Sequence, residues 1–482
     1  MRARGIVCLA LALALGVSTP AAGEEAEALR QEMARMRQRF EAMQEEYRKA
    51  LQSMGERLQR MEARPQTAAT KPVIVQAPAG SPSEAPPPAG APTLMDLVRP
   101  RAPFALAART GRGQLLFDIG VGGDFIANLT GRRVERDDAG TFEGRENRIF
   151  PREVELLLFG QIDPYARGEV RIEAAEEFED GERELHVTLA EAHLTLLTLP
   201  LDTQLKLGRM RPRWGLLNER HQEALPQPDR PNVLRRFFGE EQLVENGGEL
   251  TWVAPLPFYL ETLVGVFNGD NEEAFGHGSL RDPLVTARVR TFFELGRMGA
   301  LQVGASGAWG RGVQELELED AGAGTVEDVE ARGRSHVYGV DLKHKYTPEA
   351  WRHPLLTLGG EALFSHRRAA VADDPDGDGV ETAERRTRDR WGWYVFGEVQ
   401  PWRRWAGGVR YDWTQFPLEP GREWAVEPYV AFMPSEFLRF RLGVKHTERT
   451  AAAVEALGGP RTFTEVFLQG TFILGAHPTH PF

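Results

Sequence analysis

Between Lys206 and Arg236 the chain concentrates basic side chains: Lys206, Arg209, Arg211, Arg213, Arg220, Arg230, Arg235 and Arg236. Cations gathered on one loop can attract an anion and line a pore constriction. The same stretch holds Glu219, Glu223, Asp229, Glu240, Glu241 and Glu245, so mutual neutralisation is the competing expectation. A second cluster, Asp374, Asp376 and Asp378 followed by Gly379, reproduces the opening of a calcium loop, in which spaced carboxylates wrap a hard cation. Its twelfth position is Arg385, where such loops use a bidentate glutamate, so calcium competes with a plain acidic surface loop. The single cysteine, Cys8, lies inside the N-terminal leader, which excludes thiolate and disulfide chemistry from the mature chain. No two histidines share one element at dedicated zinc spacing, and no Ser/His/Asp constellation stands out, so no catalytic role is expected.

These groups need elements to position them, and beyond residue 112 the pattern has the period of strands. Alternating stretches separated by turn residues predict sixteen strands: 113–129, 151–161, 165–176, 184–197, 201–209, 247–254, 257–268, 282–296, 299–310, 335–346, 353–366, 390–401, 404–415, 424–434, 436–447 and 462–474. The gaps between them alternate. Brief connections such as Asp163-Pro164 and Pro401-Trp402 take turns with long polar stretches near 130–150, 177–183, 210–246, 269–281, 311–334, 367–389, 416–423 and 448–461. Tight turns on one side and long loops on the other are what a membrane barrel requires, and an even strand number returns both ends to the short-turn side.

The sense of the alternation also suits lipid outside and water inside. Leu438, Phe440, Leu442 and Val444 share a face opposite Arg439, Arg441 and Lys445; Val285, Ala287 and Val289 oppose Arg288 and Arg290. Arg288, Arg290, Lys343, Lys345, Arg439, Arg441 and Lys445 are therefore expected in the lumen. Charges turned inward are costly in a packed core and tolerable where water fills the interior. Trp252, Phe258, Trp391, Trp393, Trp402, Trp405, Trp413 and Trp424 cluster near strand ends, as an interfacial girdle would.

The N-terminal part reads differently. Residues 1–23 have the make-up of a secretory signal, with Arg2 and Arg4 ahead of an apolar run too short for the roughly 20 residues of a spanning helix. Losing those two arginines takes the formal charge from -12 to -14, which argues against a nucleic-acid partner. Over 24–63, apolar residues from Ala26 to Tyr47 fall at alternating spacings of three and four, then continue after one stutter: a self-associating coiled coil. Residues 64–112 form a linker, with eight prolines between 65 and 92. The expected architecture is an all-β transmembrane barrel of about sixteen antiparallel strands over 113–482, preceded by a helical coiled coil and a Pro-rich linker.

The final segment FLQGTFILGAHPTHPF resembles the closing strand of outer-membrane proteins, ending on an aromatic residue. LKLGRMRPRWGLLNERH and NGGELTWVAPLPFYLETLVGVFNGD, within 200–270, are similar to the phosphate-selective type of porin and to related general porins. That resemblance implies a homotrimer of 16-stranded barrels in the outer membrane of a Gram-negative bacterium, with the N-terminal segment periplasmic. It also implies passive diffusion of small hydrophilic solutes or ions, with the third outer loop folded into the pore. In this chain that loop is 210–246. Anion preference is open at this point, and no cofactor is expected beyond the calcium that 374–378 could take. Two other functions compete. One is a barrel-anchored tether whose coiled coil grips peptidoglycan; the other is an uptake protein for a metal or metal chelate, which would need about 22 strands and a plug.

Overall fold

The computed structural model describes residues 108–475 apart from 111–112, 132–140, 143, 180–181, 277, 321–324, 352 and 374–381. The expected signal and coiled coil, most of the linker, and the calcium-like cluster Asp374, Asp376 and Asp378 lie outside the described residues. Seventeen strands run in chain order. They are β1 (Ala108–Thr110), β2 (Gly113–Thr130), β3 (Arg148–Asp163), β4 (Ala166–Glu179), β5 (Glu182–Leu199) and β6 (Thr203–Met210). Next come β7 (Glu245–Val253), β8 (Tyr259–Phe267), β9 (Leu284–Glu294), β10 (Ala300–Asp320), β11 (Thr325–Tyr346) and β12 (Leu356–Asp373). Last are β13 (Thr382–Trp402), β14 (Trp405–Gln415), β15 (Arg422–Ser435), β16 (Leu438–Arg449) and β17 (Thr462–Gly475).

Each strand from β2 to β17 pairs antiparallel with its sequence neighbour, and β17 pairs back onto β2 from Glu465↔Thr130 to Gly475↔Gly120. The sheet is thus a closed 16-stranded barrel. β1 only continues the β2 edge, through Ala108↔Leu115. Sixteen strands also remove the 22-strand plugged receptor from consideration.

Burial is inverted relative to a water-soluble fold. On β16, Arg441 is 3% exposed and Leu442 48%; on β9, Arg288 is 3% and Val289 43%. The apolar face looks outward, and two aromatic levels bound it. Trp393, Trp413 and Trp424 sit side by side in register near the loop end, as do Trp402, Trp405 and Phe432 near the turns. Trp393 and Trp402 are about nine residues apart, or ~30 Å along a strand. At a tilt of about 40° the levels are ~23 Å apart, close to the ~25 Å band of outer-membrane barrels.

Two expected loops are largely strand. β10–β11 continues in register from Arg311↔Arg334 to Asp320↔Thr325, and β12–β13 from Arg368↔Thr387 to Asp373↔Thr382. These ribbons project beyond the apolar band, so nothing selects an apolar alternation there although the backbone ladder persists. Leu201 and Asp202, placed in a strand from sequence, instead form the turn into β6, both at positive φ.

If the outward face meets lipid, Leu442→Arg should cost about 2–4 kcal/mol of unfolding free energy, as cations do near a bilayer midplane. Denaturant titration of the barrel in vesicles measures it, and an unchanged midpoint would mean that this face is not in hydrocarbon.

Candidate pore constriction and its anchors

The segment between β6 and β7, Arg211 to Val244, folds into the lumen instead of standing outside. Entry and exit strands allow this through two glycines paired across β6 and β7, Gly208 and Gly247. Gly208 adopts φ +129°, and a Cβ there would collide with the Ala192 carbonyl. Only glycine is unstrained in this conformation.

One side of the loop is apolar. Trp214, Leu216, Leu217, Val233, Leu234, Phe237 and Phe238 pack against Ala308, Val337, Leu363, Tyr394 and Phe396 from the lumen wall of β10 to β13. The helix Asn232–Phe238 presents its Val, Leu and Phe residues to this cluster. Small wall residues make the room: a Cβ on Gly339 would lie 2.7 Å from the Trp214 ring, and one on Gly392 2.7 Å from Val233.

The other side is held by charge. Asp229 accepts from Arg410 at 2.6 Å and from Lys445 at 2.5 Å, and Lys445 also donates to Asn232 Oδ1 at 2.6 Å. Loop carbonyls take further cations: Leu225 O from Arg441 at 2.7 Å, Glu223 O from Arg439 and Pro228 O from Arg152. Glu361 of β12 accepts the Leu216 N–H, and Ser306 of β10 the Gly215 N–H at 3.1 Å. The loop is therefore tied to walls on several sides of the barrel.

The expected constriction residues separate into distinct places. Arg211 donates to Glu241 O at 2.6 Å, and Arg213 bonds Glu249 at 2.8 Å and Glu261 at 3.3 Å. Arg230 is buried and caps Leu217 O and Arg220 O, so it braces the loop on itself. Arg236 pairs with Glu423 at 3.1 Å over the Phe416 ring. Arg235 stands beside it on the same helix, half-buried. Lys206 and Arg220 border lumen cavities. Arg209 does not belong with them. It shares parity with Leu205 and Leu207, faces outward opposite Ala192, and donates to Leu189 O at 2.7 Å. Counting by two from Leu205 is the signal that separates it.

Of the expected lumen cations, Arg288 bonds Ser306 and Asp341 at 3.1 and 3.0 Å, and Arg290 pairs with Glu261. Lys343 and Lys345 border a lumen cavity with Arg439 and Arg441, while Lys445 anchors the loop. The anchors Asp229, Arg410, Arg152 and Glu361 were not singled out from sequence as loop contacts. Their pairing spans up to 216 positions of chain and leaves no local pattern.

Two lumen cavities among the described residues lie beside the loop. One, of about 260 Å³, is bordered by Arg167, Arg171, Lys206, Arg211, Arg213 and Arg290 against Glu169, Glu191 and Glu219. The other, of about 240 Å³, is bordered by Arg220, Lys343, Lys345, Arg439 and Arg441 against Glu398. Cations outnumber carboxylates in both. Arg439 and Arg441 each give a hydrogen bond to a backbone carbonyl, which leaves their charge uncancelled.

Burial alone would raise the Asp229 carboxyl, but Arg410 and Lys445 hold it well below the usual carboxylate range. A folded value depressed below the unfolded ~3.9 stabilises fully above that pH and is lost as pH falls toward the folded value. Loop anchoring should thus be constant between about pH 5 and 8 and weaken below about pH 4, read as the onset of protease cleavage within 211–244. Asp229→Ala leaves two buried cations short of a partner. It should destabilise the barrel by about 3–5 kcal/mol in denaturant titration, whereas a wild-type midpoint would show the anchor to be dispensable.

No family model matches the sequence. The fold is shared with the anion-selective porin from Comamonas acidovorans, at TM-score 0.50 and 7% identity, covering 75% of this chain and all of that one. The outer-membrane channel DcaP of Acinetobacter baumannii superposes at TM-score 0.47 with 10% identity, covering 77% of this chain and 100% of that one. An uncharacterized protein of Aquifex aeolicus (strain VF5) is 30% identical over 350 residues, 68% of this chain and 69% of that protein. This likeness in sequence, at that extent, places the chain in one family with the Aquifex aeolicus protein.

Proposed function

We propose that the chain is a passive outer-membrane channel for small hydrophilic solutes, preferring anions, with 210–246 as its constriction. The observation that carries the reading is that cations outnumber carboxylates among the residues bordering both cavities beside the loop, six to three in one and five to one in the other. In the first, Arg171, Arg211, Arg213 and Arg290 also pair with Glu155, Glu241, Glu249 and Glu261 outside the lining, which leaves Arg167 and Lys206. A ring of fixed positive charge in a narrow, low-dielectric passage favours anions and repels cations. Arg167 and Lys206 contribute most directly, since neither makes an ion pair among the described residues. The barrel shared with an anion-selective porin supports the reading at the level of fold.

The reading includes a Gram-negative outer membrane, a periplasmic N-terminal segment and assembly as a homotrimer. It also allows the expected coiled coil at 24–63 to touch peptidoglycan. Phosphate specificity is not part of it, because these cations are divided between two cavities and several are neutralised by glutamates.

Purified oligomer in a planar bilayer under a potassium chloride gradient tests the proposal. The expected record has conductance steps in threes and a reversal potential on the chloride side. Arg167→Glu combined with Lys206→Glu should move that potential toward the potassium side at nearly unchanged conductance. A silent barrel, or a potassium preference in the wild type, overturns the reading.

A further inference from the structure

A group of four side chains on the other side of the constriction loop is not used by the permeation reading. Glu153 and Glu155 point inward from β3, and His221 and Glu223 come from the loop that lies against it. All four are buried, and one ligating atom from each lies within 4.8 Å of the others. From these residues we infer a binding site for one divalent transition-metal ion, which would clip the loop to the barrel wall.

The orientation of the imidazole carries the argument furthest. His221 Nε2 lies 2.6 Å from Glu191 Oε1, a separation at which the ring donates its N–H to the carboxylate. Nδ1 then presents its lone pair, and it faces Glu155 Oε1 at 3.2 Å and Glu153 Oε1 at 4.0 Å. A lone pair turned toward two carboxylate oxygens is repulsive unless a proton or a metal cation sits between them, and a metal ion can engage all three at once. The Glu191–His221 pair is also the arrangement by which a carboxylate fixes the tautomer and raises the basicity of a metal-ligating histidine.

A second observation points the same way. Glu153 is 3% exposed, and its Oε1 accepts no hydrogen bond among the described residues although it is aimed into the cluster. A buried, unsatisfied carboxylate oxygen is expensive to maintain. Glu155 also holds Arg171 at 3.0 Å, a charge-assisted bond that fixes that carboxylate in place. One imidazole among carboxylates suits zinc or manganese better than calcium or magnesium, which take oxygen ligands alone.

The site does not depend on the ion preference proposed above, because it lies against β3 and shares no ligand with either cavity. It is tested on the full folded oligomer in detergent, stripped with chelator and titrated with zinc chloride in a calorimeter. Metal content after dialysis is measured by mass spectrometry. The expected result is one zinc per chain, lost in His221→Ala and weakened about 10- to 100-fold in Glu191→Gln, which leaves the ligands and removes only the orienting carboxylate. Glu153→Gln, nearly isosteric, should weaken zinc binding by at least about tenfold. Heat-modifiable gel mobility confirms that each variant is folded. Absence of stoichiometric zinc on folded wild type, undiminished binding in His221→Ala, or equal displacement of zinc by calcium each overturns the inference.

Discussion

Within hydrocarbon no water satisfies a backbone N–H or C=O, so a sheet can cross a membrane only if its last strand finds its first. In this chain the constraint is met by β17 on β2, eleven register positions long. Closure then dictates the rest. It fixes an inside and an outside, sends alternate residues to each, and obliges the inward half to be polar or paired. The inverted burial of Arg441 and Leu442 follows from that one seam as much as from their own chemistry.

A closed polar tube would be an open hole, and the loop between β6 and β7 is what makes it narrower. It is held by two different kinds of interaction. Its aromatic side fills a hollow left by Ala308, Gly339 and Gly392, and its polar side is bound to cations of β14, β16 and β3. Apolar contact gives the loop a position without direction, whereas Asp229 between Arg410 and Lys445 sets its register against the wall. Asp229, Arg410 and Lys445 are engaged with one another, whereas Arg439 and Arg441 hold loop carbonyls and still border a cavity.

All sixteen barrel strands were legible in the sequence, because a period of two survives wherever one face meets lipid. The outer parts of β10 to β13 were not, since beyond the apolar band neither face selects for greasy side chains and the ladder carries on unmarked. The length and position of the constriction loop could be read directly, and so could the facing of Arg288 and Arg441. Arg209 was misplaced by grouping it with nearby arginines when its parity with Leu205 put it outside. Loop anchors were beyond reach, because Asp229 and Arg410 meet only after the barrel has closed. The same holds for His221 beside Glu153: each is unremarkable in its own segment, and only the folding of the loop onto β3 brings them together.

The extended parts of β10–β11 and β12–β13 carry a consequence of their own. They are two separate ribbons, since β11 pairs with β12 only from Ser335↔Arg367 inward. The first ribbon is ten residue pairs long, ~33 Å at strand rise, and the second six, ~20 Å. Each therefore exposes two flanks of unpaired backbone to the medium, the form of surface on which extended chains from other molecules add as further strands. Charges stand along both: Arg332 pairs with Glu330 on one ribbon and Arg386 with Glu384 on the other. A foreign strand seeking to dock would have to strip water from these charges, so the ribbons can be long without becoming adhesive.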